Sequence, residues 1–128
     1  MMLTHRELDL VELFWHGSRV GICPPTLAVR SFGELAPRLL SGDLAQAAGA
    51  VRAGRGLERP GVSLRVEGGA AVLVAPSHPE PVVVELAAFQ RFTRRYCRVW
   101  IDEAREAEVS PPPWFAGLEA LVEDWERA

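Results

Sequence analysis

The sequence predicts a mixed α+β fold, in which a three-stranded antiparallel β-meander packs against a long amphipathic helix, with additional N- and C-terminal helices. Between residues 62 and 85, three short strand-like runs are separated by turn sequences, and in the first of them apolar and polar side chains alternate, as in a half-buried strand. Between residues 85 and 109, apolar side chains recur at helical spacing instead. The length of 128 residues suits a single globular domain over residues 1–128.

The first element is predicted to be a helix over residues 5 to 16. Thr4 and Glu7 have the spacing of a capping box, in which side chains satisfy free backbone amides at the start of a helix. Gly17 stands where a left-handed C-terminal cap is expected. The apolar residues from Leu8 onward also fit a strand, and the sequence leaves that alternative open.

The next segment is predicted to be extended and then helical. Val20 and Ile22 fit a short extended piece, and the two prolines that follow Cys23 exclude a helix there. A short or kinked helix is expected near residues 32 to 41, because Pro37 lies too deep in this segment for a regular single helix.

A further helix is predicted between Asp43, as its N-terminal cap, and Gly54, as its left-handed C-terminal cap. Residues 55–61 are predicted to be a loop. The meander follows, and Gly68-Gly69 is a strong signal for a two-residue hairpin turn within it.

The long helix has two faces of different character. Its apolar face carries Leu86, Phe89, Thr93, Tyr96, Cys97, Trp100 and Ala104. Its opposite face carries four arginines, which we call the arginine surface: Arg91, Arg94, Arg95 and Arg98. After a run of three prolines, a last helix is expected with an apolar stripe made of Trp114, Phe115, Leu118, Leu121, Val122 and Trp125. The sequence leaves open whether this last helix packs on its own chain or on another.

Composition and charge narrow the function classes. The net charge is −3 and the isoelectric point is near 5.6, whereas nucleic-acid binding usually needs a basic field. The sequence contains no apolar run as long as a membrane span, and its charged N-terminal segment does not resemble a signal peptide. Two cysteines allow at most one disulfide bond. We therefore expect a reducing bacterial cytoplasm, with neither a membrane nor a nucleic acid as the partner.

Cys23 and His16 are the candidates for catalysis. A thiolate at Cys23 with His16 as its base defines one alternative function, a small cysteine-dependent enzyme. A cysteine between Ile22 and two prolines is more typical of a small buried hydrophobic residue, so no catalytic residue is predicted. The histidines and cysteines lack the close pairing of a structural zinc site, and neither a metal nor another cofactor is predicted.

The arginine surface is the first predicted partner-binding site, because guanidinium groups hold carboxylates and phosphates in pairs. A solvated helix face is the competing interpretation. Acidic residues follow the arginines along the same helix, which is the reverse of the order that the helix dipole favours. Our hypothesis is that a partner maintains this order. Neutralising Arg91, Arg95 and Arg98 is then expected to abolish partner capture and to leave thermal stability nearly unchanged.

Trp114 and Phe115 are the second predicted partner-binding site. They follow three prolines, and an exposed aromatic residue in such a place is a common anchor in protein interfaces. Packing into the core is the competing interpretation for both.

Taken together, these features predict a small bacterial module that binds or regulates another protein by direct contact. Its architecture is of the kind found in toxin-neutralising immunity proteins, effector chaperones and adaptors, and a second copy of the chain is left open as the partner. The alternatives are the cysteine-dependent enzyme and local nucleic-acid binding through the arginine surface.

Overall fold

The computed structural model describes residues 2–16 and 19–128, and within them the chain is a mixed α+β structure, as predicted. The described strands are β1 (Met2–Leu3), β2 (Glu12–His16), β3 (Arg19–Cys23), β4 (Leu57–Arg59), β5 (Val62–Glu67), β6 (Ala70–Val74) and β7 (Val82–Glu85). The described α-helices are α1 (His5–Leu8), α2 (Arg30–Leu40), α3 (Leu44–Ala53), α4 (Leu86–Glu106) and α5 (Phe115–Arg127).

The main sheet has five strands in the order β1-β7-β6-β5-β4, with β1 parallel to β7 and the other neighbours antiparallel. The predicted sheet of three strands is therefore too small. Residues 55–61, predicted to be a loop, contain β4, and β1 adds a strand at the opposite edge. These two strands are three and two residues long, too short for an alternating pattern to identify them in the sequence.

The predicted N-terminal helix over residues 5 to 16 is wrong in length. A helix does begin after Thr4, whose backbone N–H donates to the Glu7 carboxylate over 2.9 Å, but α1 ends after one turn at Leu8. The strand β2 follows and pairs antiparallel with β3 as a separate two-stranded sheet.

Packing decides between the helical and the strand pattern. As a strand, β2 lets Leu13 and Trp15 pack against the core, where the Trp15 ring meets the Trp100 ring edge-on at 6.0 Å between centroids. Leu10, which lies within the predicted helix, is 60% exposed. The local cap begins a helix, but burial of side chains on one face of a sheet outweighs it. The left-handed cap predicted at Gly17 lies outside the described residues.

Helices α2 and α3 lie where the sequence predicts helices. The sequence predicted a short or kinked helix around Pro37, whereas α2 continues through Pro37 as one helix of 11 residues. The Asp43 carboxylate accepts a hydrogen bond from the Gln46 N–H over 3.0 Å, and Gly54 has φ +69°, so α3 carries both predicted caps.

The long helix α4 is the centre of the core. It contacts strands of both sheets and also α1, α3 and α5. Its buried face is Ala88, Phe89, Phe92, Thr93, Tyr96, Cys97, Trp100, Ile101 and Ala104, which includes the predicted apolar face except for the partly exposed Leu86.

The C-terminal helix α5 packs on its own chain, antiparallel to α4. Leu118 and Val122 are buried beneath it. Ion pairs join its acidic face to α3 and α4: Arg52–Asp124, Arg98–Glu126 and Arg105–Glu119. None of the helices in the described part of the chain has the length and hydropathy needed to cross a lipid bilayer.

A tight turn after α4 fixes where α5 begins. The Val109 N–H donates to the Ala104 carbonyl over 3.1 Å, and Glu108 adopts φ +55°, a left-handed conformation that usually selects glycine at this position. The chain then crosses the prolines at 111–113 and places Trp114 beside α4.

Candidate partner-binding surface

The hairpin register separates the two candidate catalytic residues. Cys23 lies opposite Glu12, and His16 lies opposite Arg19 at the other end of the same hairpin. Four residues along a strand span about 13 Å, whereas a nucleophile and its base must lie within about 3.2 Å of each other. The structure therefore does not bring Cys23 and His16 together, and the enzyme alternative lacks its base.

The prediction that Cys23 is a buried hydrophobic residue is also wrong. Cys23 is exposed, because the strand alternation turns it outward and leaves its neighbour Ile22 packed against the core. Cys97 is fully buried on α4, and burial raises the pKa of its thiol to about 12. Both cysteines are free thiols.

This difference in burial predicts the labelling of the two thiols. Iodoacetamide at neutral pH should modify Cys23 in the folded protein and leave Cys97 unmodified, because only an accessible thiolate reacts. Mass spectrometry of the intact chain should show one adduct, and two after unfolding in urea. Loss of the native adduct in Cys23→Ser is the control. Two rapid adducts in the folded protein would contradict the burial of Cys97.

Metal ligands do not converge in the described residues. Across 2–16 and 19–128, no three side chains of the His, Cys, Asp and Glu types are grouped so that they could hold a metal ion.

The arginine surface lies beside acidic groups from other parts of the chain. Arg91 Nε lies 3.3 Å from a carboxylate oxygen of Asp9, which follows α1. Arg98 pairs with Asp102 on its own helix and with Glu126 of α5. The hydrogen bond from Arg98 lowers the pKa of Glu126.

Arg95 has a structural role in this surface. Its guanidinium donates to the backbone carbonyls of Leu8, Asp9 and Val11 over 3.3, 3.4 and 2.8 Å. These carbonyls belong to the end of α1 and the segment that leads into β2, so Arg95 ties that segment to α4. It also lies over the Phe92 ring, 5.7 Å from the centroid.

These contacts give an intramolecular reason for the charge order on α4. Arginines in its first half run against the helix dipole, but carboxylates and carbonyls from other elements compensate three of them. Arg94 is the member of the surface for which the described residues provide neither an ion-pair partner nor a hydrogen-bond acceptor. The hypothesis that a partner must maintain this charge order therefore loses its main support, and a phosphate backbone would have to compete with these contacts.

The two predicted aromatic residues lie on different sides of Trp100. The Trp114 ring lies 5.0 Å from the Trp100 ring and the Phe115 ring lies 5.7 Å from it, measured between centroids. Both residues are half-buried. Phe115 helps to line a small apolar cavity with Val109, whereas Trp114 lines a larger open groove.

This larger concavity, which we call the aromatic groove, has a volume of about 370 Å³. It lies between the start of β3, the turn from α2 to α3, the middle of α4 and the residue before α5. The described residues that line it are Arg19, Val20, Pro37, Arg38, Leu40, Ser41, Gly42, Leu44, Tyr96, Trp100 and Trp114.

Two exposed arginines provide the charge of the aromatic groove. Arg38 Nη1 donates to Ser77 Oγ over 3.2 Å, and neither Arg38 nor Arg19 forms an ion pair with any carboxylate in the described part of the chain. Asp and Glu are absent from the described lining. A positive groove is therefore open on a protein whose net charge is −3.

Tyr96 lines the aromatic groove, and most of its side chain is buried in the core. Its hydroxyl donates to the Val20 carbonyl over 3.3 Å, and burial raises the pKa of the phenol to about 12. The neutral phenol is thus the form that the folded protein favours.

The raised pKa of Tyr96 predicts a measurable titration. Tyr96 is the only tyrosine, so the phenolate absorbance of the folded protein should rise with a midpoint near pH 12 instead of near 10. The buried neutral phenol of Tyr96 should contribute fully to the free energy of unfolding below pH 10. This contribution should be lost between pH 10 and 12, because the phenol ionises at a lower pH in the unfolded chain than in the folded one. Tyr96→Phe should lose less stability than the unmodified chain over that interval. A midpoint at the ordinary value would contradict the burial of the phenol.

The sequence identified Trp114 but not the site around it. Arg19 of β3, Arg38 of α2 and Trp114 before α5 are far apart along the chain and meet only through tertiary packing. No local spacing could have grouped them.

Comparison with protein-family models, with curated proteins and with solved structures finds no match for this chain.

Proposed function

We propose that this chain is a non-catalytic module that binds another protein by direct contact in the cytoplasm, in the manner of small immunity proteins, effector chaperones and adaptors. The aromatic groove is the binding site in this proposal. The arginine surface becomes chiefly a structural feature, because three of its four side chains serve contacts within the chain.

The composition of the aromatic groove is the observation that supports this proposal. Hot spots of protein interfaces are enriched in tryptophan, tyrosine and arginine, and they lie in concave places from which a partner excludes water. The groove combines Trp100, Trp114, Tyr96, Arg19 and Arg38 in one concavity. Packing also fixes several of these walls before binding, which lowers the entropy that a complex must lose.

The test is an affinity capture with the full tagged chain from a lysate of the native host, with and without nuclease. We expect a stoichiometric protein partner that survives nuclease and is lost with either of two groove variants. Trp114→Ala removes a wall of the aromatic groove. Ser41→Phe fills the groove from an exposed position without removing any buried side chain.

Phe14→Ala is the matched control, because Phe14 is an aromatic residue on the outer side of the β2–β3 hairpin and is 48% exposed. It should retain the partner. Thermal unfolding of each variant separates a lost contact from a lost fold. No partner, or one that both groove variants still capture, would overturn the proposal, and a partner released by nuclease would favour the nucleic-acid alternative.

A further inference from the structure

We propose that the aromatic groove recognises an acidic segment of its partner, in which a carboxylate side chain lies next to an apolar or aromatic one. This inference rests on the proposed function and specifies the chemistry of the partner at the same site.

The charge of the aromatic groove favours an acidic partner. The charged members of the described lining are Arg19 and Arg38, and neither has a carboxylate partner in the part of the chain that the structure describes. Arg38 lies in the last turn of α2, where the helix dipole also favours a cation. The helix dipole does not explain a cation at Arg19, because Arg19 lies at the exposed start of the strand β3.

Other arginines of the chain show what a guanidinium does when a carboxylate is within reach. Arg52 and Arg91 each lie on a helix and pair with a carboxylate from another element. A carboxylate from outside would complete the same kind of pair at Arg19 or Arg38, in bidentate geometry. A guanidinium beside apolar walls is also less screened by water than one on an open surface, which strengthens such a pair.

The aromatic walls require an apolar group beside the carboxylate. The rings of Trp100 and Trp114 stand 5.0 Å apart between centroids and line the aromatic groove together. Trp100 is buried and Trp114 is half-buried, so a small inorganic anion would leave the exposed part of the Trp114 ring facing water, whereas an aliphatic or aromatic side chain would cover it. At about 370 Å³ the groove is at the small end of ligand pockets, so it takes one or two side chains of a partner.

The experiment is a display selection of random twelve-residue peptides on the immobilised full chain, at low and at moderate ionic strength. We expect enriched peptides in which Asp or Glu is adjacent to an aromatic or large apolar residue. Their affinity, measured by titration with the synthetic peptides, should fall at least about tenfold in Arg19→Gln and in Arg38→Gln, since hydrogen bonds between charged groups are of that strength. It should also fall as salt is added.

Arg6→Gln and Arg55→Gln are the matched controls, because they remove the same charge from exposed arginines outside the aromatic groove. They should leave peptide affinity within about twofold, as expected for screened surface charges. Enriched peptides without acidic residues, equal loss in the controls, or displacement of the peptides by inorganic phosphate as readily as by a glutamate peptide would overturn the inference.

The outcomes also separate this inference from the proposed function. If the captured partner depends on Trp114 and Ser41 but not on Arg19 or Arg38, the binding module stands and the acidic segment is wrong. If neither the affinity capture nor the peptide selection yields a ligand that depends on the aromatic groove, the proposed function and the acidic segment are both wrong.

Discussion

Phe32→Ala is expected to lower the free energy of unfolding by about 3–5 kcal/mol, the usual loss for a large buried aromatic side chain. Phe32 is fully buried on α2. Its ring meets the Phe89 ring edge-on at 5.9 Å and the Phe92 ring at 4.9 Å, and these two residues belong to α4. Truncation would leave a cavity at the point where α2 and α4 contact each other. Urea unfolding followed by tryptophan fluorescence measures the loss.

The same substitution should weaken binding at the aromatic groove. α2 supplies Arg38 and α4 supplies Tyr96, so the distance between the two helices sets the width of the groove. Phe32→Leu is the control, because it keeps most of the volume and should cost less than half as much. A loss below about 1 kcal/mol for Phe32→Ala would contradict tight packing between the helices.

Local signals explain which parts of the fold could be predicted. Asp43 and Gly54 identify both ends of α3 because each cap is a contact between residues close in the sequence. The turn at Gly68-Gly69 is equally local, since positive φ at both positions selects glycine. The apolar face of α4 could be predicted because its 21 residues repeat the helical period several times.

Contacts between distant segments explain what could not be predicted. Residues 12–16 carry apolar side chains that fit a helix or a strand, and the choice depends on β3 and on Trp100 of α4. The exposure of Cys23 depends on that choice, because the register of the hairpin decides which side chains face outward. Arg38 had no local feature to distinguish it, and its role in the aromatic groove comes from tertiary packing alone.

The arginine surface shows a different limit of the sequence. Its spacing was correctly identified as one helix face, but apart from Asp102 the partners of the arginines lie on other elements and could not be read from the same helix. Asp9 and Glu126 come from the two ends of the chain. A charge order that opposes the helix dipole therefore indicates that compensating groups exist, and does not indicate whether they belong to the same chain.

Arg95→Ala is expected to lower the free energy of unfolding by about 2–4 kcal/mol, because hydrogen bonds to a charged group contribute about 1.5–3 kcal/mol and three backbone carbonyls lose this donor. Its guanidinium is the group that joins Leu8 and Val11 to α4. The sequence alone predicted almost no effect on thermal stability when Arg91, Arg95 and Arg98 are neutralised together. Thermal and urea unfolding of the single variant measure the loss.

Two further variants identify the cause of that loss. Arg91→Ala removes an exposed ion pair with Asp9 and should cost no more than about 1 kcal/mol. Arg95→Lys keeps the charge but lacks the planar fork of donors that spans the three carbonyls, so its loss of stability should lie between those of Arg91→Ala and Arg95→Ala. Equal losses for Arg91→Ala and Arg95→Ala would mean that charge, and not the carbonyl contacts, matters here. If Arg95→Ala is destabilised but its folded fraction still binds the partner, the arginine surface supports the fold and recognition belongs to the aromatic groove.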